Sequence, residues 1–276
     1  MKKIHFCFSG FLVIILALFT GCKNKITEET DTSGNKIIKE WFGKNRIKSI
    51  KIFYQGVQND YLQIKYNKKG NLVDSARFIN DTLEGTRKFY ESKTELLHTE
   101  NYRHGSLEGI HKAVYSNGVA GFEGFRKNNM MVGEWKFHFA NGHPITYEYY
   151  DSSGVMRYFR KYDDNGNVLR VDGIGMIQIK TDQTRLDSTG ILYGFIEAAI
   201  PPGCKSRFTI EDDKNVTNRK KYLEVFINKP KHDWEIKLEE PGEKNLKYIL
   251  TIIDNKTGTE EVSTSEQKVL VQPILK

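Results

Sequence analysis

"NNMMVGEWKFHFANGHPITYEYY", Asn128 to Tyr150, decides how the chain is read. A polar turn opens it. Trp135, Phe137 and Phe139 then alternate with Glu134, Lys136 and His138, the period of two that marks a half-buried strand. Asn141-Gly142 interrupts the run. Ile145, Tyr147 and Tyr149 then alternate with Thr146 and Glu148. Asn-Gly supplies the positive φ angles of a tight turn, so the stretch predicts a β-hairpin closed at Asn141-Gly142.

The same grammar stands 24 residues earlier, in "RHGSLEGIHKAVYSNGVAGFEGF" from Arg103 to Phe125. Gly70, Gly118, Gly142 and Gly166 fall at steps of 24 or 48, with Thr94 in the vacant place. Gly85, Gly109 and Gly133 form a second comb, and Leu83, Leu107 and Met131 a third. Tyr54, Phe78, Tyr102 and Tyr150 form a fourth, which slips by one residue to Phe125. Four combs at one period define an array. A lone hairpin is marginal in water, whereas stacked hairpins make one continuous antiparallel sheet. About five units fit between Trp41 and Ile179. Gly70, Gly118, Gly142 and Gly166 are expected to be the structural turns. Gly142→Val should therefore be destabilising, and Gly190→Ala, outside the combs, should matter less unless Gly190 also has positive φ.

Near Thr181 the combs stop. Longer apolar runs follow, such as "GILYGFIEAAI", "YLEVFI", "WEIKL" and "KYILTII", separated by turn clusters such as "PPGCKS" and "EEPGEKN". Short strands with Gly, Pro, Asn and Asp turns and no helical period read as a sandwich. The expected fold class is all-β: an extended antiparallel sheet of stacked β-hairpin repeats, residues 37–180, followed by a small immunoglobulin-like β-sandwich, residues 181–276.

The first residues give an address. Lys2 and Lys3 precede a nine-residue apolar core, Phe11 to Phe19, too short to span a bilayer as a helix but suited to a signal peptide. The core ends in "LFTGC", which resembles the lipobox of bacterial lipoproteins. The resemblance implies removal of residues 1–21 and acylation of Cys22. Lys23 after the cysteine, rather than Asp, resembles outer-membrane sorting. A membrane partner through a lipid anchor and a cell-envelope location are therefore expected, with residues 22–36 as a flexible polar tether. Of the three cysteines, Cys7 leaves with the signal and Cys22 carries lipid, so Cys204 has no disulfide partner in the mature chain. The net charge of +7 describes a mildly basic, well-solvated surface. No run of four Lys or Arg occurs, which argues against a nucleic-acid partner.

"EGTRKFY", "EGIHKAVYSNG" and "GEWKFHFANG", each following a polar turn and an aromatic, resemble bacterial MORN-repeat variants. These repeats occur in proteins often labelled toxin–antitoxin system antitoxin components. The resemblance covers residues 41 to about 175. It implies an extended, twisted hairpin sheet and brings no catalytic residues with it. The departure is Thr94, in "YESKTEL", where a turn glycine is missing.

Chemistry-bearing motifs are sparse. The chain has no H-E-x-x-H, G-x-S-x-G, C-x-x-C or P-loop. "DGIGMIQ", Asp172 to Gln178, lacks the third glycine of a dinucleotide loop and reads as a turn. "DDNGN", Asp163 to Asn167, has adjacent rather than alternate carboxylates, so a hairpin turn is favoured over a calcium loop. His98, His104 and His111 lie close in sequence but at unmatched phases, and read as singly exposed histidines rather than metal ligands. No metal, no cofactor and no enzymatic activity are expected. Trp135, Phe137, Tyr147 and Tyr149 are assigned to one face of the sheet. If that face is open they are the candidate binding residues, and if the sandwich covers it they are core. The leading expectation is a non-enzymatic lipoprotein whose repeat sheet binds a protein partner. The alternative is a glycan- or envelope-polymer-binding lipoprotein, in which the tyrosine-rich face stacks sugar rings.

Overall fold

A computed structural model describes residues 25–271 apart from 44, 58, 93–94, 183–189 and 213–219. The signal segment, the lipidation residue Cys22 and the vacant turn position Thr94 lie outside the described residues. Among those described there are strands and turns and no helix, so the chain is all-β. It forms two compact units. The first runs to Met130 and takes in Ala140–Gly142, and the second holds Met131–Phe139 and the chain from His143 on. The repeat pattern ends near Thr181, but by compactness its last hairpins belong with the sandwich.

The first unit is a meander. Its strands are β1 (Ile26–Thr30), β2 (Lys36–Phe42), β3 (Arg46–Phe53), β4 (Asp60–Tyr66), β5 (Leu72–Ile79), β6 (Thr82–Leu83), β7 (Gly85–Glu91), β8 (Leu96–Arg103), β9 (Ser106–Leu107), β10 (Gly109–Tyr115) and β11 (Ala120–Lys127). Each long strand pairs antiparallel with the next, and the short β6 and β9 pair back onto β5 and β8. The presence of β1 corrects the tether. Ile26–Thr30 pairs along its whole length with Lys36–Glu40, and Asp31 closes the turn by accepting the Ser33 and Asn35 amides. The segment is polar because it is an edge strand, where backbone pairing on one side holds a sequence with little to bury.

Two kinds of turn alternate, and they differ from the expected ones. At one end, Asn80-Asp81, His104-Gly105 and Asn128-Asn129 each have two consecutive positive φ angles, the signature of a two-residue hairpin turn. At the other end stand the comb glycines. Gly70, Gly118, Gly142 and Gly166 all have φ between 77° and 88°. Each closes a three-residue loop: Tyr115 N donates to Val119 O at 2.8 Å and Gly118 N to Tyr115 O at 2.9 Å. Asn117, Asn141 and Asn165 keep negative φ. The Asn-Gly pairs therefore belong to a type I turn ending in a left-handed glycine, because the preceding residue is also in the loop.

The Gly85 and Gly109 comb has a separate cause. Both have positive φ where the chain bends from a short tip strand into the next long one. The glutamate before each reaches the neighbouring tip. Glu84 accepts the His104 amide at 2.7 Å and Glu108 the Asn128 amide at 2.9 Å. Gly105 N also donates to Leu83 O and Asn129 N to Leu107 O. Successive tips are tied together, which is how one repeat sets the place of the next.

Register sorts the side chains of this unit onto two faces. One carries a ladder of rings. Tyr61 lies 5.1 Å from both Phe53 and Phe78, Phe89 stacks on His98 at 4.5 Å, and Phe122 meets the edges of His98 and His111. His98 and His111 therefore share a face and are not singly exposed. His98 is opposite Ala113, two residues from His111, so the two rings point the same way. Only His104, at a tip, is well exposed. Among the described residues of this unit no second layer covers either face.

The second unit has β12 (Met130–His138), β13 (Pro144–Tyr150), β14 (Met156–Tyr162) and β15 (Val168–Gly173), and then a sandwich. One sheet of the sandwich orders β16 (Met176–Asp182), β17 (Ile191–Ala198) and β20 (Lys231–Lys237). The other orders β19 (Lys221–Ile227), β18 (Cys204–Asp212), β21 (Gly242–Asp254) and β22 (Glu260–Val271). Their inner side chains, among them Leu192, Ile196, Phe208, Leu246, Leu250 and Val269, share one core with Tyr147, Tyr149, Tyr158 and Tyr162 of the last hairpins. Seven strands in two sheets, with the chain leaving one sheet after β17 and returning to it at β20, make an immunoglobulin-like sandwich.

Candidate functional site

The nominated aromatic residues do not form one open face. Trp135 is directly opposite Glu148 and Phe137 opposite Thr146, whereas Tyr147 is opposite Lys136 and Tyr149 opposite Glu134. Directly opposed residues point to the same side, so Trp135 and Phe137 face one way and Tyr147 and Tyr149 the other. Trp135, Tyr147 and Tyr149 are 1, 0 and 3% exposed. Their role as binding anchors is corrected: they are core.

The tyrosines are held by their hydroxyls as well as their rings. Tyr147 Oη donates to Glu134 at 2.8 Å and accepts the Ile200 amide at 2.7 Å. Tyr149 Oη donates to Glu197 and Tyr158 Oη to Glu261, each at 2.7 Å. Tyr162 Oη donates to Pro202 O at 3.2 Å. Burial, and then the neighbouring carboxylates, push the Tyr149 and Tyr158 hydroxyls far above their ordinary range. A sugar could not stack on rings enclosed in this way. Arg160 lies between Tyr158 and Tyr162 on the same face and is almost fully buried. It donates to Glu261 at 2.9 Å, to the Cys204 thiol at 3.0 Å, and to Asp254. Burial pushes the Cys204 thiol up to about 11 despite the guanidinium beside it, so this cysteine is a packed, protonated group rather than a nucleophile.

A cleft of about 530 Å³ in the second unit is lined by Asp151, Met156, Arg157, Ile174, Gln178 and Glu197, among others. Its charges are engaged. Arg157 pairs with Asp151 at 2.6 Å, and Glu197 receives Tyr149. Asp163, in the former calcium-loop candidate, accepts the Asn165 and Asn167 amides and closes a turn. Among the described residues no group of His, Cys, Asp and Glu is arranged to hold a metal ion.

On the ring face of the first unit, charged groups satisfy one another. Arg87 reaches Asp74 at 2.7 Å, Tyr102 donates to Glu100 at 2.7 Å, and Arg126 donates to His111 at 3.1 Å. Burial holds His111 below its usual imidazole range, opposed by the Glu100 charge and helped by Arg126.

The opposite face differs. Tyr90, Leu97, Phe125 and Ile110 are 40, 43, 44 and 49% exposed. Tyr90 pairs with Leu97 and Leu97 with Val114, forming one apolar row across β7, β8 and β10. Ile110 pairs with Phe125 in a parallel row. Between the rows runs a polar line, Lys88–Thr99–Lys112–Glu123. Exposed large apolar side chains side by side on an uncovered sheet are the most distinctive surface of the first unit. Phe125 carried a signal in the sequence, the slip in the aromatic comb: Arg126 holds the comb position, and the one-residue shift turns the ring to the other face.

Compared with known proteins, the chain matches no family model and no curated relative.

Proposed function

We propose that this chain is a lipid-anchored envelope protein that catalyses nothing and docks a protein partner on the exposed face of its repeat sheet. The observation that carries the reading is that face: one layer of strands, uncovered within its unit, displaying Tyr90, Leu97, Ile110 and Phe125. Nine long strands give eight spacings. At about 4.8 Å each, with strands about 20 Å long, the face measures about 760 Å². That is near the ~800 Å² per partner of a standard protein interface. Two of the four exposed residues, Leu97 and Ile110, are aliphatic, which favours a protein over a glycan, since a glycan stacks on flat rings alone. The meander of tied tips supports the resemblance to MORN-repeat variants. The lipid anchor at Cys22 and the outer-membrane address rest on the "LFTGC" and Lys23 signals.

Three experiments test this. The soluble chain lacking the first 22 residues, and the same chain with Leu97→Asp and Phe125→Asp, are used to capture envelope proteins. Capture of one protein by the parent and its loss in the folded variant are expected; equal capture by both would remove the face from the reading. Turnover of any glycan, peptide or ester in a substrate screen would overturn the non-enzyme part. Fatty-acid labelling of the full chain should disappear in Cys22→Ser, and label retained there would overturn the anchor.

A further inference from the structure

The second unit shows how this chain itself covers the same face of the repeat. Stepping by 24 residues, Lys88, Lys112, Lys136 and Arg160 occupy one repeat position. By the same step Phe125 corresponds to Tyr149, and by two steps Ile110 corresponds to Tyr158. In the second unit Tyr149, Tyr158 and Arg160 lie under the sandwich, while Lys136 stays partly exposed and pairs with Glu134. Carboxylates of the sandwich answer the buried three: Glu261 and Asp254 take Arg160, Glu261 takes Tyr158 and Glu197 takes Tyr149.

In the first unit the same positions have no such cover. Lys88 and Lys112 are exposed. Arg103 and Lys127, one further repeat position, are also exposed on this face. Among the described residues none of these four cations has an ion pair; in the same unit Lys36, Lys39, Lys48, Arg77 and Arg87 are paired, and Lys25, Arg46, Lys51, Lys65, Lys68 and Lys69 are not. Against the four cations stands one carboxylate on this patch, Glu123. Lys88 and Lys112 each lie opposite Thr99, so they are two strand spacings apart, roughly 9.5 Å.

We infer that the partner of this face is a protein surface that is apolar at its centre and carries carboxylates about 9.5 Å apart, aligned with Lys88 and Lys112. The inference rests on the reading that the face docks a protein, and it adds the chemistry of what docks. An anionic lipid surface would also meet the cations. It is disfavoured because Glu123 stands in the line of the lysines, and because the apolar residues are spread over four strands rather than gathered on one amphipathic helix.

The test is a photo-reactive amino acid in place of Leu97 in the full chain, irradiated in cells. The expected result is one protein adduct, reduced about tenfold or more by Lys88→Glu with Lys112→Glu and regained when the matching carboxylates of the adduct protein are changed to Lys. Hydrogen exchange of the double variant, unchanged from the parent, shows that it is folded. A protein adduct undiminished by the charge reversal overturns the inference and leaves the docking face standing. Adducts to lipid overturn the inference in favour of a membrane surface. No adduct at all from a folded chain removes the docking reading together with the inference built on it.

Discussion

Lys112 and Arg160 hold the same place in the repeat, 48 residues apart, and meet different surroundings. Arg160 is enclosed by the sandwich with two carboxylates and a thiol around it, while Lys112 stands in water. Tyr149 and Phe125 repeat the contrast, one ring sealed and hydrogen-bonded, the other 44% exposed. A repeat fixes which way a side chain points. Whether that side becomes core or surface depends on what else the chain brings to it.

The contrast is broken most severely at Arg160. Arg160→Met leaves Asp254 and Glu261 without their shared cation, and breaking a buried pair costs about 3–5 kcal/mol. Denaturant unfolding followed by hydrogen exchange should show the second unit lost early, with β1–β11 still protected; equal loss of both units would merge the two regions. Acid should act in the same direction. Burial pushes Asp254 up, but the Thr257 and Lys256 amides and Arg160 outweigh it and hold the carboxyl below its usual range. A depressed folded pKa contributes stability that is present above the unfolded carboxyl value and lost as pH falls through the folded one. A second unit that keeps its full stability below pH ~3 would contradict this linkage.

A smaller effect is expected inside the sandwich. Gly194 lies directly opposite Trp234, and a Cβ there would meet the indole at 2.2 Å and Lys180 O at 2.4 Å. Gly194→Ala should cost about 1–3 kcal/mol by overpacking, read as a lowered thermal midpoint. Gly142→Val is expected to cost roughly 1–2 kcal/mol from its left-handed backbone alone, since its nearest neighbour, Val119, would be a comfortable 3.9 Å away. Equal midpoints for this variant and the parent would refute the turn geometry. The smallest effect belongs to the open face. Lys88→Glu with Lys112→Glu should change stability by less than about 0.5 kcal/mol, because exposed, unpaired side chains contribute little to folding. A larger loss would mean that the face already has an internal partner.

The architecture was legible because backbone requirements leave marks at fixed spacing. Alternation gave the strands, and the glycine combs gave the turns and bends. What escaped depended on register and on distant packing. Trp135 and Tyr147 look equivalent in an alternating string, yet pairing across the hairpin puts them on opposite faces. Asn141-Gly142 was placed as a turn, but the loop's extra residue could not be counted before the pairing was known. Gly190 lies in no comb, yet it has φ 77° and a Cβ there would meet Leu238 O at 2.6 Å. Gly190→Ala should therefore not be mild. The polar stretch Ile26–Thr30 reads as tether by composition, and only its pairing with β2 makes it a strand. Of the docking face, Phe125 was visible as a slip in the comb, while Leu97 and Ile110 had no signal to separate them from core.

The Arg160 and tyrosine contacts also carry an order of events. In the first unit bonds are local, such as Asn117 to Ala140 across 23 residues. Arg160 waits for Asp254, 94 residues on, and Tyr158 for Glu261, 103 residues on. Local pairings close fast, and contacts far apart in the chain close slowly. The hairpins nearest the amino terminus can therefore zip together as they emerge, while Tyr158 and Arg160 lack their partners until the last two strands arrive. During that interval their side of the sheet is exposed, and transiently exposed surface of this kind favours self-association.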